Sequence, residues 1–273
     1  MTTNPARPAA DPYAQFKANQ RASWTSFGPL AAYTTPTAAR LVRFAGIRAG
    51  QRVLDVGCGT GVVAVTAARL GAQVTGADLT PELLAQAREN AAIAGVAVEW
   101  HEADVEQLPF GDRQFDAVLS QFGHIFAPRP DVATSEMLRV LKPGGTIAFS
   151  TWPPDQYSGR TQALLARYAP PPPPGVPAPV LWGDPAVVRE RLGAAVRDLV
   201  FDRDHLVGYA LSPQHHRLVS ERTAGPTMRL VQSLEVDPGR LAEFRREFDA
   251  IVADYFEMNR VRQSYLVSRA IKV

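Results

Sequence analysis

The chain has 273 residues, a hydrophobic fraction of 46% and a formal net charge of +2. This length suits one large domain or a domain with a cap, and the absence of a Lys/Arg cluster excludes the concentrated basic face that nucleic-acid binding uses. Cys58 is the single cysteine, so an internal disulfide and a Cys-based zinc site are both excluded.

Residues 1–12 are polar and rich in Ala and Pro, and they read as a disordered N-terminus without the apolar segment of a signal peptide. No uncharged stretch reaches membrane-spanning length, so a cytoplasmic protein without membrane insertion is expected. Residues 13–45 read as helical pieces, with Phe16, Trp24, Phe27, Leu30 and Tyr33 spread among Lys and Arg. Thr35 as N-cap and Pro36 in the first turn predict a helix that runs to Phe44.

Val53–Val56 is a short apolar run that ends in Gly57, Gly59 and Gly61, before an Ala/Val-rich stretch. The pattern predicts a buried strand, a glycine turn that lets backbone approach a ligand, and a helix. A dinucleotide fingerprint requires its third Gly where Val62 stands, and no Gly-Lys-Ser/Thr of a phosphate loop follows. Asp55, just before the turn, would repel a pyrophosphate but tolerates a cationic, phosphate-free cofactor.

Gln73–Ala77 predicts a second strand ending in Asp78, which lies 21 residues after Gly57. A carboxylate there is placed for ribose hydroxyls, the plainer reading being a solvated strand end. Ala97–Trp100 predicts a third strand, and His101-Glu-Ala-Asp104-Val105 follows it, with Asp104 otherwise a helix cap. A fourth strand ends near Ser120, ahead of Gln121-Phe122-Gly-His124. A helix ending at Lys142, a turn at Pro143-Gly144-Gly145 and a fifth strand to Trp152 complete an alternating βα pattern.

The rhythm then breaks. Pro170–Pro174 is read as a stiff connector within a substrate-covering insertion, ahead of a helix from Pro185 to Leu192 capped by Asp184. Leu199–Leu211 predicts a strand. His215 and His216 fall at a helix start, where adjacent residues point apart, so a metal site is not expected. Pro238–Met258 predicts an amphipathic helix with Leu241, Phe244, Phe248, Ile251, Val252 and Tyr255 on its core face, and Gln263–Val273 a final strand.

Asp55-x-Gly57-x-Gly59-x-Gly61, Asp78, Asp104 and Leu141-Lys-Pro-Gly-Gly145 together resemble the class I S-adenosylmethionine (SAM)-dependent methyltransferases of the ubiquinone/menaquinone-biosynthesis type. The resemblance implies an α/β fold with a doubly wound, Rossmann-like, seven-stranded sheet, mostly parallel with the last strand antiparallel. It implies a SAM-binding core over 13–152, a cap with strand six over 153–236, and a C-terminal helix and strand over 237–273. Asp55, Gly57, Cys58, Gly59, Asp78, Leu79, Asp104, Val105 and Gln121 would hold SAM, with Asp78 on the ribose and Asp104 on the adenine amino group. Trp24, Tyr33, Phe122, Trp152 and His215 would line the acceptor site, with Trp182-Gly-Asp-Pro and Gly225-Pro-Thr227 nearby. His124 departs from the apolar residue expected there and stands as the candidate general base. The lack of an Asn/Asp-Pro-Pro-Tyr/Phe signature after strand four argues against nucleobase amines, which leaves a small organic acceptor methylated at O, N or C, and a monomer or homodimer. Two other functions fit parts of the pattern: a SAM-binding regulator without catalysis, and a nicotinamide-dependent oxidoreductase, against which Val62 and Asp55 speak.

Overall fold

The computed structural model describes residues 11–25 and 28–273, except for the side chains of residues 29, 30 and 32. The disorder expected before residue 11, and the roles expected of Phe27 and Leu30, lie outside the described residues.

In chain order the elements are α1 (Ala14–Trp24), α2 (Gly28–Ala45), β1 (Arg52–Val56), α3 (Val62–Arg69), β2 (Gln73–Asp78), α4 (Pro81–Ile93), β3 (Val98–Glu102), β4 (Phe115–Gln121), α5 (Pro130–Val140), β5 (Leu141–Thr151), α6 (Tyr157–Tyr168), α7 (Pro185–Leu192), β6 (Val196–Tyr209), α8 (Pro213–Thr223), α9 (Gly225–Leu234), α10 (Pro238–Ala253), β7 (Phe256–Glu257) and β8 (Arg260–Lys272). The sheet order is β3-β2-β1-β4-β5-β8-β6, with β7 paired to β8. Strands β1 to β5 are parallel, and β8 runs antiparallel to both β5 and β6. The order reverses between β1 and β4, and in such sheets ligands bind at the carboxyl ends of the strands at that point.

Both faces of β1, β4 and β5 are buried, which explains their largely apolar sequences, whereas the edge strand β3 is half exposed. On one face Val53, Val74, Leu119 and Val267 pack against Ala38, Leu41 and Val42 of α2 and Val63 and Ala67 of α3. On the other, Leu54, Val56, Val118 and Ile147 pack against Met137 and Val140 of α5 and Val188 and Leu192 of α7. A third cluster joins α6, α9 and α10 through Leu164, Leu230, Phe244, Phe248 and Val252.

Four elements differ from expectation, each for a local reason. Helix α2 starts ahead of Thr35 and carries Pro36 inside it. The Thr34 and Thr35 hydroxyls fold back onto the Ala31 carbonyl, so Thr35 bonds within the helix rather than capping it. Strand β3 runs two residues beyond Trp100, because pairing with β2 continues to Asp78 opposite Glu102. The Lys-Pro-Gly-Gly turn is a bulge in β5: Phe115 pairs with Leu141 but Ala117 with Thr146. Helix α10 stops at Ala253, and a hairpin follows in which Met258 and Asn259 both take positive φ, as a two-residue type I′ turn requires.

Candidate active site

A cleft of about 1190 Å³, counting its open mouth, lies at the carboxyl ends of β1, β2 and β4. All nine residues expected to hold the cofactor lie on its walls: Asp55, Gly57, Cys58, Gly59, Asp78, Leu79, Asp104, Val105 and Gln121. Trp24, Phe122, His124 and Trp152 join them.

The glycine turn is shaped by contact. Gly57 has a φ of +61°, and a Cβ there would sit 2.8 Å from Gly123 Cα. A Cβ on Gly123 would in turn meet the Gly57 carbonyl oxygen at 2.5 Å. Gly61, with φ +80°, would press a Cβ onto the Trp100 ring at 2.6 Å. Only residues without a side chain allow these approaches.

The donors of this turn point inward. The Cys58 N–H donates to the Ala77 carbonyl at 3.1 Å and the Gly61 N–H to the Cys58 carbonyl at 2.9 Å. The Gly59 N–H donates to Asp78 Oδ2 at 2.8 Å, and Thr80 N–H donates to Asp78 Oδ1 at 2.8 Å. A phosphate-binding turn leaves such amides free for the anion. Here they serve backbone carbonyls and the Asp78 carboxylate, and the wall facing a ligand carries acceptors.

Asp55 adds another. Its Oδ2 accepts the Ala64 N–H at 3.0 Å, whereas Oδ1 is buried with no partner. Burial, opposed by the Ala64 N–H and reinforced by Asp78, pushes the Asp55 carboxyl up to about 8. Burial also raises Asp78 and Cys58. With its amides already used and two carboxyl groups on its wall, the cleft suits a hydroxyl-bearing ligand better than an anion. SAM, a sulfonium with a ribose, meets that requirement.

The chain's relatives agree with this chemistry. A family model described as a methyltransferase domain matches residues 53–145. An uncharacterized protein of Mycobacterium tuberculosis (strain ATCC 25618 / H37Rv) is 37% identical over 233 residues, covering 85% of each chain. A ubiquinone/menaquinone biosynthesis C-methyltransferase of Pseudomonas putida (strain GB-1) is 38% identical over 131 residues, which span 46% of this chain and 49% of that protein. The chain belongs to the class I SAM-dependent methyltransferases. A solved structure of a putative methyltransferase from Bacillus halodurans shares the fold, with a TM-score of 0.58 at 21% identity over 86% of this chain and 98% of that one. SAM is therefore the methyl donor and S-adenosylhomocysteine the product, and family membership selects SAM over nicotinamide.

On the far wall of the methyltransferase cleft the groups are rings. Phe122 stacks on Trp152 with centroids 3.8 Å apart and planes 7° from parallel, and Trp24 meets Phe126 at 4.7 Å. Phe122 takes a φ of +59°, uncommon for an aromatic residue, where the chain leaves β4. Gln121 Nε2 donates to the Thr34 carbonyl at 3.1 Å, which leaves Oε1 buried without a partner.

Four residues sit otherwise than expected. The His124 ring is buried against Phe149 and Trp182, each 4.7 Å away by centroids, and neither nitrogen has a hydrogen-bond partner. Burial and the nearby Arg191 bring its pKa down to about 3, which disfavours the protonated ring at neutral pH. Its backbone N–H instead fixes the loop, donating to Ser120 Oγ at 3.1 Å. Tyr33 and His215 are not among the cleft's lining residues. His215 Nδ1 accepts the Leu211 N–H at 3.0 Å, and it is His216 that turns inward, its Nε2 2.8 Å from the Tyr157 hydroxyl. Tyr33 also lies beside His216: a Cβ on Gly208 would meet the Tyr33 hydroxyl at 3.1 Å and His216 Cε1 at 3.3 Å. Trp182, expected near the acceptor, is a core residue under His124.

Sequence reasoning found Trp24 of α1 but missed the helix's polar side chains. Lys17, Gln20 and Arg21 line the cleft beside Trp24. Lys17 is one of three lysines in the chain and nothing in the sequence around it marks it out, because what buries it comes from the loop after β3.

Proposed function

We propose that this methyltransferase acts on a small, flat or apolar organic acceptor in biosynthesis. Asp78 takes the ribose hydroxyls, Asp104 and the Val105 backbone take the adenine, and Asp55 and Gln121 face the methionine end. The acceptor lies against Phe122, Trp152 and Trp24. The observation that carries the acceptor reading is the coplanar Phe122–Trp152 pair at the exit of β4, a platform of apolar area beside the motif turn.

When bound, SAM supplies an electrophilic methyl on a sulfonium. The chain's own residues then align, desolvate and shield. The Gly57–Gly123 contact fixes the motif turn against the β4 exit loop, α1 and the rings exclude water, and His124 braces the loop through its backbone. A proton acceptor is required only for an acceptor that must lose a proton before attack.

Calorimetric titration with SAM, S-adenosylhomocysteine and NAD tests the cofactor half of this reading. Micromolar binding of the first two without NAD is expected. Transfer of label from methyl-labelled SAM to a panel of phenols, hydroxyquinones and aromatic amines tests the acceptor half. Label appearing only in added protein or RNA would overturn the small-molecule assignment, and tight SAM binding with no transfer to any panel member would favour a regulator.

A further inference from the structure

Lys17 stands on α1, outside every motif of the parallel sheet. Its side chain is 9% exposed, and its ammonium lies 2.6 Å from Asp11 Oδ2, 2.6 Å from Asp104 Oδ2 and 2.5 Å from Glu106 Oε2. Glu106, whose side chain is wholly buried, also takes two donors of the Arg129 guanidinium and the Arg129 backbone N–H. Burial disfavours charge on Lys17, but its three carboxylates outweigh that and push its pKa up. The three acids are close enough together to hold a metal ion, and the ammonium fills the place such an ion would take.

The same ammonium reaches the residue assigned to the adenine. Asp104 Oδ1 accepts the Glu106 N–H at 2.9 Å and Oδ2 accepts from Lys17, so each oxygen has one donor and keeps capacity for another. Both oxygens are thereby fixed, one by backbone and one by α1. The helix is fastened to the cleft independently: Gln20 Nε2 donates to the Phe126 carbonyl at 3.1 Å, and Trp24 packs on the Phe126 ring.

We propose that Lys17 is a positioning residue for purine selection: it holds the Asp104 carboxylate in the one orientation that recognises a 6-amino purine. The proposal rests on the assignment of the adenine to Asp104. A fixed carboxylate accepts the exocyclic amino group of adenine and repels the carbonyl oxygen of a 6-oxo base. Without Lys17, Asp104 keeps one backbone donor and is free to turn, and its neighbour Glu106 keeps only Arg129.

The test needs no acceptor. S-Adenosylhomocysteine and its 6-oxo analogue S-inosylhomocysteine are titrated calorimetrically into the whole chain and into Lys17→Met, Gln20→Ala and Asp104→Ala variants. Lys17→Met is expected to weaken S-adenosylhomocysteine by roughly tenfold and to shrink the adenosyl-to-inosyl preference by at least about fivefold. Gln20→Ala, which loosens α1 without touching Asp104, should weaken both ligands evenly and keep the preference. An unchanged preference in Lys17→Met would make Lys17 a structural strap only, and tighter S-adenosylhomocysteine binding would make it a competitor of adenine; either overturns the proposal. Should Lys17→Met lose its fold by circular dichroism, Lys17→Gln, whose shorter uncharged side chain cannot bridge the three carboxylates, is expected to show the same loss of preference, and an unchanged preference there overturns the proposal equally. Asp104→Ala with its preference intact would instead sink the adenine assignment itself.

Discussion

Along the wall that receives the cofactor, position is set by backbone: Gly57 and Gly123 touch, Gly59 donates to Asp78, and Ala64 donates to Asp55. Along the facing wall it is set by rings, with Phe122 on Trp152 and Trp24 against Phe126. The first arrangement admits almost no alternative residue, because a single Cβ or a lost carboxylate oxygen breaks it. The second admits any side chain of similar area. A cleft built this way keeps one ligand constant and leaves the other open to change.

The largest effect should come from the backbone wall. Gly123→Ala places a methyl on the Gly57 carbonyl, and S-adenosylhomocysteine affinity is expected to fall by roughly 100-fold, about 3 kcal/mol. Calorimetry on the folded variant decides this, and an affinity within threefold of the parent would mean that the two loops part freely. Asp78→Ala should cost roughly 1.5–3 kcal/mol of ligand binding through lost hydrogen bonds to an ionised acceptor. Unchanged affinity would remove the ribose from Asp78.

Asp55 gives a pH signature next in size. The folded chain holds a proton on Asp55, with its pKa at about 8, that an unfolded chain with an ordinary carboxylate has released. Folding therefore takes up a proton, and stability falls as pH rises toward 8. Between pH 7 and 8 the loss should be about 1 kcal/mol, read from urea unfolding, and the Asp55→Asn variant should lack that slope. The buried His216, with its pKa lowered to about 4 by burial and by His215, acts in the opposite direction but below pH 6.5, where the unfolded chain takes up the proton. The smallest effect belongs to the facing side: Tyr157→Phe, which loses the bond to His216, should cost about 0.5–1 kcal/mol of stability and leave S-adenosylhomocysteine affinity within twofold. A tenfold loss of affinity would extend the cofactor wall into the cap and break the contrast.

The same contrast explains what the residues disclosed in advance. That nine separated residues line one cleft, and that the core alternates strand and helix, were legible because strand-end glycines and carboxylates work at fixed spacing along one stretch of chain. The acceptor side was legible only as a supply of aromatics. Nothing local distinguishes His216 from His215, and the choice is made by Tyr157, 59 residues away. Lys17 was hidden for the same reason, its partners Asp104 and Glu106 being 87 and 89 residues distant. The enclosure of His124 was hidden as well, because Phe149 and Trp182, which pack on its ring, come from later parts of the chain. Pro36 misled because tertiary packing of Ala38, Leu41 and Val42 carries the helix through a residue that would end it in isolation.

The touching pair Gly57 and Gly123 has one more consequence. It ties the turn after β1 to the loop after β4, so the cofactor's seat and the near edge of the acceptor platform move as one part. Diversification of this scaffold toward new acceptors, in nature or in the laboratory, has no freedom at that joint. The room to vary lies in the pieces that merely lean on it, the strap α1 and the helices α6 to α10, and a library aimed at altered acceptor choice belongs there.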